Sequence, residues 1–163
     1  INVDRIIDGV DVRTTIMMRN IPTTMTSEGL KRLLDETSPG RFDFSYLRVD
    51  FSTGINVGYA FVNFISANDV AAFALTWENR RWVPTATHYS SLAYATIQGL
   101  DALIDKFRNS AVMTEASAFR PKLWYTEENA PTANLVGHEM PFPGPNNAMQ
   151  HRRSIEQAQR VGL

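Results

Sequence analysis

The octapeptide VGYAFVNF, residues 57–64, is the most informative part of the sequence about the fold. Its side chains alternate in character along the chain, as they do in a strand whose two faces meet different surroundings. The alternation places Tyr59, Phe61 and Asn63 on one face, and the small, aliphatic and terminal aromatic residues on the other. Because aliphatic side chains pack in a core, we expect the face with Tyr59 and Phe61 to be the outer one.

The octapeptide matches the RNA-recognition pattern K/R-G-F/Y-G/A-F-V-x-F/Y at every constrained position except the first, where Val57 replaces a basic residue. Two rings side by side on a flat sheet give unpaired bases a surface on which to stack. Tyr59 and Phe61 are therefore the leading candidates for RNA binding. The competing interpretation is an ordinary core strand that is aromatic by composition.

The sequence around the octapeptide predicts the order β-α-β-β-α-β over residues 14–98. The predicted elements are a strand over 15–21, a helix over 27–36, strands over 42–51 and 57–65, a helix over 67–77 and a strand over 92–97. This is the split βαβ order of an α+β, ferredoxin-like fold, with a four-stranded antiparallel sheet and two helices on one face. The octapeptide is its third strand, which argues against the core-strand interpretation.

The first strand supplies a second motif, the hexapeptide Ile16–Ile21. Its outward residue Met17 stands where this motif usually has an aromatic ring, and a thioether packs against a base more loosely. Four further residues fall on the same face by alternation: Arg19, Tyr46, Arg48 and Asn63. They offer phosphate contacts, another ring and base-edge hydrogen bonds. For each of them, the alternative is a solvated strand position.

An arginine pair lies in the loop predicted over 78–90. Arg80 and Arg81 stand between Trp77 and Trp82 in the sequence. A basic loop flanked by aromatic residues beside the sheet is suited to clamping a nucleic-acid backbone. A solvated loop that is anchored by its two tryptophans explains the same residues equally well.

Residues 99–126 are expected to form a helix and an extended segment that pack on the domain. The helix is predicted over 101–113, because apolar residues recur there at helical spacing. Docked along the fourth strand, it would extend the stacking surface and bring Lys106 and Arg108 near. Docked across Tyr59 and Phe61, it would block them. A dimer or partner interface is the third alternative.

The two ends of the chain are predicted to be less regular than its centre. Residues 1–13 are expected to be a polar lead-in whose scattered Ile and Val side chains dock on the domain. Residues 127–163 are expected to be a Pro-, Gly- and Asn-rich tail with one short polar helix over 152–160.

Composition argues against several classes of function. The 163 residues carry a formal charge of −1 and no cysteine, which excludes disulfides, thiolate metal sites and cysteine nucleophiles. His88, His138 and His151 show no metal-ligand spacing, and no nucleophile elbow or phosphate-binding glycine loop is present. We therefore expect no catalysis and no cofactor. No apolar run approaches the ~18 residues of a membrane helix, so we expect no membrane partner.

Several strings resemble one particular family. Thr14–Pro22 is similar to the opening of the C-terminal RNA-recognition motif (RRM) of the mei-two-like proteins, which are meiosis-promoting RNA-binding proteins of fungi and plants. Further strings similar to this family are Tyr46–Phe51, Asn56–Phe64, Tyr94–Gly99 and Ile104–Ser110. Arg120–Lys122 and Pro141–Asn147 resemble the fungal members.

The resemblance implies single-stranded RNA binding by Tyr59 and Phe61, with Met17 at the outward position of the hexapeptide. It also implies a meiotic non-coding RNA as partner, ribonucleoprotein bodies, and a location in nucleus and cytoplasm. The competing function is an RRM whose sheet or C-terminal helix binds a peptide, a partner or a second copy of itself. The formal charge, Met17 and the added helix favour that function, whereas the ring pair favours RNA. The oligomeric state is left open.

Overall fold

One antiparallel sheet organises the chain in this computed structural model, which describes residues 1–83 and 88–160. Its strands are β1 (Thr15–Arg19), β2 (Phe42–Asp50), β3 (Ile55–Phe64), β4 (Ser91–Tyr94), β5 (Lys122–Trp124) and β6 (Glu139–Met140). The helices are α1 (Val3–Ile7), α2 (Ser27–Thr37), α3 (Ala67–Trp77), α4 (Leu100–Phe107) and α5 (Ala148–Arg160). The strands lie in the order β4-β1-β3-β2-β5-β6. The predicted β-α-β-β-α-β order is confirmed, and β5 and β6 extend the sheet beyond β2.

The inner face of the sheet packs against α2 and α3. Thr26 begins α2, and its hydroxyl accepts the Gly29 amide hydrogen at 3.0 Å. Ser66 begins α3 in a capping box with Asp69, and the helix predicted over 67–77 is confirmed at both ends. The centre of this core is fully buried and contains Ile16, Met18, Leu30, Leu34, Val62, Phe64, Val70 and Phe73. Burial of this apolar surface is the main favourable contribution to folding.

The N-terminal segment forms a short helix that was not predicted. The Asn2 side chain begins α1 by accepting the Arg5 amide hydrogen at 3.3 Å. The helix lies against α3, and its Ile6 is buried in the core. A single turn is too short for helical periodicity to be visible in the sequence. The expectation that apolar residues of 1–13 dock on the domain is confirmed for Ile6.

β4 is shorter than the strand predicted over 92–97, because the Gln98 side chain takes over its pairing with β1. Gln98 Oε1 accepts the amide hydrogens of Thr14 at 3.2 Å and Thr15 at 3.0 Å. Its Nε2 donates to the carbonyl oxygens of Thr15 at 2.7 Å and Ala95 at 2.9 Å. The side-chain amide thus satisfies backbone groups that a longer strand would pair, and the chain leaves the sheet to begin α4.

The outer face of the sheet, which carries Tyr59 and Phe61, is partly covered by α4. The buried residues of the cluster on this face are Phe44, Tyr46, Leu103, Phe107, Val112 and Leu123. α4 ends before its predicted limit, because Ser110 caps a separate 3₁₀ turn, Ala111–Thr114. The helix packs over β2 and leaves Tyr59 and Phe61 half-buried, so it neither blocks them nor stands apart from the sheet.

β5 protects the edge of β2, which would otherwise be open. It pairs antiparallel with β2 and lies in the extended segment that is expected within residues 99–126. Trp124 fixes the pairing, because its Nε1 donates to the buried Ser45 hydroxyl at 2.9 Å. Its ring also meets Phe42 edge-on at 6.4 Å between centroids. Covering an edge in this way removes a site of unwanted strand pairing.

Asparagine side chains hold the C-terminal segment against the domain. Buried Asn109 accepts the amide hydrogens of Asn146 at 2.9 Å and Asn147 at 3.0 Å. Asn147 in turn caps α5, which therefore starts earlier than the predicted helix over 152–160. Ser154 of α5 accepts the Ala111 amide hydrogen at 2.8 Å and so anchors the helix beside the end of α4.

Candidate nucleic-acid interface

Two aromatic rings of β3 lie next to each other on the outer face. The centroids of Tyr59 and Phe61 are 5.7 Å apart, and the ring planes meet at 83°. Arg48 of the neighbouring strand β2 donates from Nη1 to the Tyr59 hydroxyl at 3.0 Å. Both rings are half-buried, so part of each surface is available to a flat ligand. A pair of rings with an adjacent guanidinium is suited to stacking unpaired bases.

The backbone at Gly58 sets the start of this ring pair. Gly58 has a φ of 101°, in the region that favours glycine, and lies where the register between β2 and β3 shifts. Asn56 holds this bulge: its Oδ1 accepts the Gly58 amide hydrogen, and its Nδ2 donates to the carbonyls of Pro22 and Met25. An added Cβ would meet no atom within 4 Å. The glycine is therefore required by the backbone conformation and not by lack of space.

A pocket of about 210 Å³ lies between the sheet and α4, and we call it the α4 pocket. Met17 and Phe61, which are paired across β1 and β3, form its floor. Leu103 and Phe107 of α4 form its wall. The remaining lining residues are Tyr94, Ala95, Thr96, Ile97 and Lys106. This mainly apolar lining, with few polar groups, is the usual surrounding of a bound aromatic ligand.

An open groove of about 790 Å³ continues from this pocket toward α5, and we call it the α5 groove. It shares three residues with the α4 pocket: Phe61, Lys106 and Phe107. Arg48 and Lys106 supply positive charge along the groove, and Asp50 and Glu115 supply negative charge. The α5 side consists of small and polar residues, Ser154, Gln157 and Ala158. The mixed lining favours a ligand that has both apolar rings and a hydrated, charged backbone.

Tyr46 does not supply a further exposed ring, and that expectation is wrong. Its side chain is on the outer face but only 6% exposed, because Phe107 covers it at 5.2 Å between centroids with the rings at 72°. Phe107 also stacks on Phe44 at 5.8 Å. Burial raises the pKa of the Tyr46 hydroxyl. Tyr46 therefore forms part of the surface on which α4 packs.

Asn63 does not face solvent either, which corrects the prediction of a base-edge contact. It is 3% exposed, and its Oδ1 accepts the hydroxyl hydrogens of Thr14 at 2.8 Å and Thr15 at 2.7 Å. The Thr15 hydroxyl oxygen accepts the Gly99 amide hydrogen at 2.9 Å. Asn63 thus connects the octapeptide to the residue that begins α4, and helps to fix the position of the helix.

Asp43 completes this polar network and has an unusual titration. Asn63 Nδ2 donates to Asp43 Oδ1 at 2.8 Å. Burial raises the pKa of Asp43 to about 6, against the opposing effect of the hydrogen bond from Asn63. Between about pH 4 and pH 6, the folded protein therefore holds a proton on this carboxyl that the unfolded chain has released. Its contribution to stability falls as pH rises through that interval.

At pH 7.5, the free energy of unfolding of the Asp43→Asn variant is expected to be about 1–2 kcal/mol higher than that of wild type. The variant is more stable because no charge has to be buried. The amide oxygen can still accept the hydrogen bond from Asn63. The gain is expected to shrink as pH falls toward 4, where the wild-type carboxyl is protonated. Urea unfolding across this pH range measures it, with Asp105→Asn on the exposed side of α4 as the control. A gain that does not depend on pH would contradict this account of Asp43.

The three remaining arginine candidates lie in two places. Arg19 is exposed on the outer face, where its Nη2 is 3.4 Å from the Ser91 hydroxyl. Arg80 lies 4.5 Å from the centroid of the Trp77 ring, and Arg81 donates to the Tyr89 hydroxyl at 2.6 Å. Neither residue of this pair lines the α4 pocket or the α5 groove.

The tryptophans beside this arginine pair anchor its loop. Trp77 is buried and packs against Trp82 at 5.1 Å between centroids. This anchoring is what the solvated-loop alternative expects. Residues 84–87 of the predicted 78–90 loop lie outside the described residues.

Neither a metal-binding group nor a membrane-spanning helix is found in the part of the chain that the structure describes. Residues 1–83 and 88–160 contain no group of three or more His, Cys, Asp or Glu placed to hold a metal ion. None of the helices in the same ranges has the length and apolar character needed to cross a membrane.

Sequence patterns indicated some of the site but not all of it. The apolar stripe of α4 is visible in the sequence, but its packing on Phe44 and Tyr46 is not. The network through Asp43 and Gln98 has no sequence signal, because a polar strand residue looks the same whether it is solvated or buried.

Comparisons with known proteins agree with this architecture. The family model described as RNA recognition motif 2 matches residues 13–108. The chain is 44% identical over 160 residues to the meiosis protein mei2 of Schizosaccharomyces pombe, covering 98% of this chain and 21% of that protein. It is 42% identical over 144 residues to MEI2-like 4 of Oryza sativa subsp. japonica, covering 88% and 14%. The chain thus spans about a fifth or less of the length of these relatives.

Among solved structures, the Rna15 RRM with bound RNA (GU) is similar at a TM-score of 0.46 and 18% identity, covering 55% of this chain and 89% of that one. The match to the fission yeast protein supports the predicted fungal branch. The matched family model spans the whole of residues 14–98 and continues through α4 to residue 108. The family model over residues 13–108 and the identity to the two relatives show that the chain belongs to the RNA recognition motif 2 family, among the relatives of Mei2 and the MEI2-like proteins.

Proposed function

We propose that this chain binds single-stranded RNA with sequence selectivity and without catalysis, as part of a regulator that promotes meiosis. The observation that carries the proposal is the half-buried pair of Tyr59 and Phe61, which adjoins a pocket with Met17 in its floor. Each base stacked on such a ring contributes about 1–3 kcal/mol to binding. The outer face offers this stacking surface because α4 covers β2 and stops short of enclosing β3.

Different residues of the outer face make different contacts with the RNA. One unpaired base occupies the α4 pocket against Phe61 and Met17, and a second stacks on Tyr59. Arg48 and Arg19 attract the backbone and contact base edges, since guanidinium groups suit both tasks. Because the formal charge is −1, few phosphates are neutralised, and the affinity depends only modestly on salt.

The names of the relatives support the wider setting. One is called a meiosis protein, and the other is named MEI2-like after it. On this resemblance we propose a meiotic non-coding RNA as the partner and a location shared between nucleus and cytoplasm. Both proposals concern the longer protein of which the relatives are examples.

A peptide-binding function is the second candidate, because the α4 pocket is mainly apolar and open to an apolar side chain. The two functions differ in what they need from β3. A peptide side chain requires an apolar cavity, whereas RNA also uses the Tyr59 ring outside the pocket and the guanidinium of Arg48 beside it.

A titration with randomised RNA tests the proposal. Wild-type protein is titrated with a short single-stranded pool and with a duplex of the same length, at low and at moderate salt. We expect saturable binding that favours the single strand and persists at moderate salt, because stacking does not depend on screening. Equal binding of the duplex, or loss of all binding at moderate salt, would overturn the proposal. Either result would favour the peptide-binding function.

A further inference from the structure

We infer that the α4 pocket selects a base with an oxygen at C4 of a pyrimidine or C6 of a purine, uracil or guanine, and that Lys106 is the residue that determines this preference. The selection rests on the proposed single-stranded RNA binding and goes beyond it by naming the class of base. It assigns to α4 a share in recognition, whereas the sequence motifs of this fold lie on β1 and β3.

The α4 pocket exists only because α4 is fixed over the sheet. Its floor comes from Met17 and Phe61 and its wall from Leu103 and Phe107. The start of α4 is held by the Thr15 hydroxyl, which accepts the Gly99 amide hydrogen at 2.9 Å. The pocket is therefore formed before a ligand arrives, and a flat ring meets apolar carbon on its faces. Such a pocket binds the ring of any base, so selection must come from groups at its edge.

Lys106 is the charged residue of this pocket. It lines both the α4 pocket and the α5 groove, at the place where they join. Within residues 1–83 and 88–160, its ammonium forms no ion pair and no hydrogen bond, and its recorded contact is the Phe107 ring at 5.8 Å. The other cation of the groove, Arg48, already donates to Tyr59. Lys106 is therefore the cationic donor that is available to an incoming base, whereas the hydroxyl of Thr96 in the same lining can donate or accept.

The chemistry of an ammonium decides which bases it favours. Lysine has three donors and no acceptor, so it stabilises an acceptor such as O4 of uracil or O6 of guanine. Cytosine and adenine carry an amino donor at the corresponding position, which would face the ammonium with the wrong polarity. In an apolar pocket, a polar edge that stays unpaired is costly. With that position of the ring at Lys106, the pocket favours uracil over cytosine and guanine over adenine.

The same ammonium in contact with a phosphate would behave differently. Removing a phosphate contact weakens binding uniformly across sequences. It also reduces the slope of log affinity against log salt concentration by about one. A base contact changes the preference among bases and leaves that slope nearly unchanged. The two roles can therefore be separated by measuring affinity for two sequences at two salt concentrations.

The experiment compares hexamers of uridine and of cytidine, which have the same ring size, with wild type and three variants. Lys106→Met keeps most of the length of the side chain and removes the charge, and Lys106→Arg keeps a cationic donor. Arg152→Met, on the exposed side of α5 and outside both cavities, makes the same charge change elsewhere. Fluorescence anisotropy gives the Kd of each pair.

Wild type is expected to bind the uridine hexamer about tenfold more tightly than the cytidine hexamer. Lys106→Met is expected to bring that ratio close to one, while Lys106→Arg and Arg152→Met keep a clear preference. The inference is overturned if wild type shows no preference, or if Lys106→Met leaves the ratio unchanged, whether or not it weakens both hexamers alike. If wild type binds neither hexamer nor the randomised pool, the proposed function itself fails.

Discussion

Replacing Phe107 by alanine is expected to lower the free energy of unfolding by about 3 kcal/mol. The ring is 9% exposed and joins α4 to the sheet, because it stacks on Phe44 and meets Tyr46 edge-on. Removing it leaves a cavity between two elements whose positions are fixed by other contacts, so the site cannot collapse around the gap. The loss therefore includes both the transfer of the ring to water and the unfilled space.

Urea unfolding measures this change, and Leu75→Ala is the matched control. Leu75 lies on α3 and is 76% exposed, so its truncation is expected to change the free energy of unfolding by less than about 0.5 kcal/mol. A loss below about 1 kcal/mol for Phe107→Ala would mean that α4 is not packed on the outer face. In that case the α4 pocket would have no fixed wall.

The Phe61→Ala variant is expected to raise the Kd for single-stranded RNA about tenfold to a hundredfold, at low and at moderate salt alike. Phe61 forms part of the floor of the α4 pocket and also lines the α5 groove. Its ring centroid lies 5.7 Å from that of Tyr59. Removing the Phe61 ring therefore also leaves the Tyr59 ring, and the base stacked on it, without this neighbouring contact. The loss is insensitive to salt because no charge has been changed.

A second variant separates stacking from packing at the same position. Phe61→Leu fills much of the volume without a flat aromatic face, so we expect a near-normal unfolding transition together with most of the loss in RNA affinity. The Leu75→Ala variant, on the opposite side of the domain, is expected to bind RNA as wild type does. If Phe61→Leu keeps full affinity, the ring does not act by stacking, and an apolar surface is all that the ligand needs.

The strands and helices of the central fold could be predicted from sequence because each carries its own local signal. The alternation of the octapeptide gives β3, and Ser66 with Asp69 gives the start of α3. Both signals come from neighbours in the chain. Gly58 also has a local cause, since a φ of 101° favours glycine.

The parts that sequence could not supply depend on contacts between distant residues. Alternation gives the same outward direction to Phe61 and Tyr46, yet Phe107 covers Tyr46. In the same way Asn63 is outward by pattern, but Thr15 and Asp43 bind both ends of its amide. Periodicity indicates the face of a strand, whereas burial depends on which later segment folds over that face.

The early end of β4 also depends on contacts between residues that are distant in the sequence. The apolar character of the sequence predicts a strand over 92–97, and only the side chain of Gln98 shows why the strand stops at Tyr94. The position of α4 results from this early exit, because the chain turns at Gly99 toward the outer face. One glutamine thus helps to determine the wall of the candidate site.

Amide chemical-shift mapping with single-stranded RNA shows whether RNA binds between the outer face of the sheet and α4. The chain is labelled with ¹⁵N and titrated with the tightest-binding sequence from the randomised pool. We predict saturable shifts at Gly58–Phe61, at Ala95–Ile97 and along α4, with α2 and α3 nearly unchanged. Shifts confined to α2, α3 or the arginine pair at Arg80 and Arg81, with none at Phe61 or α4, would contradict the account.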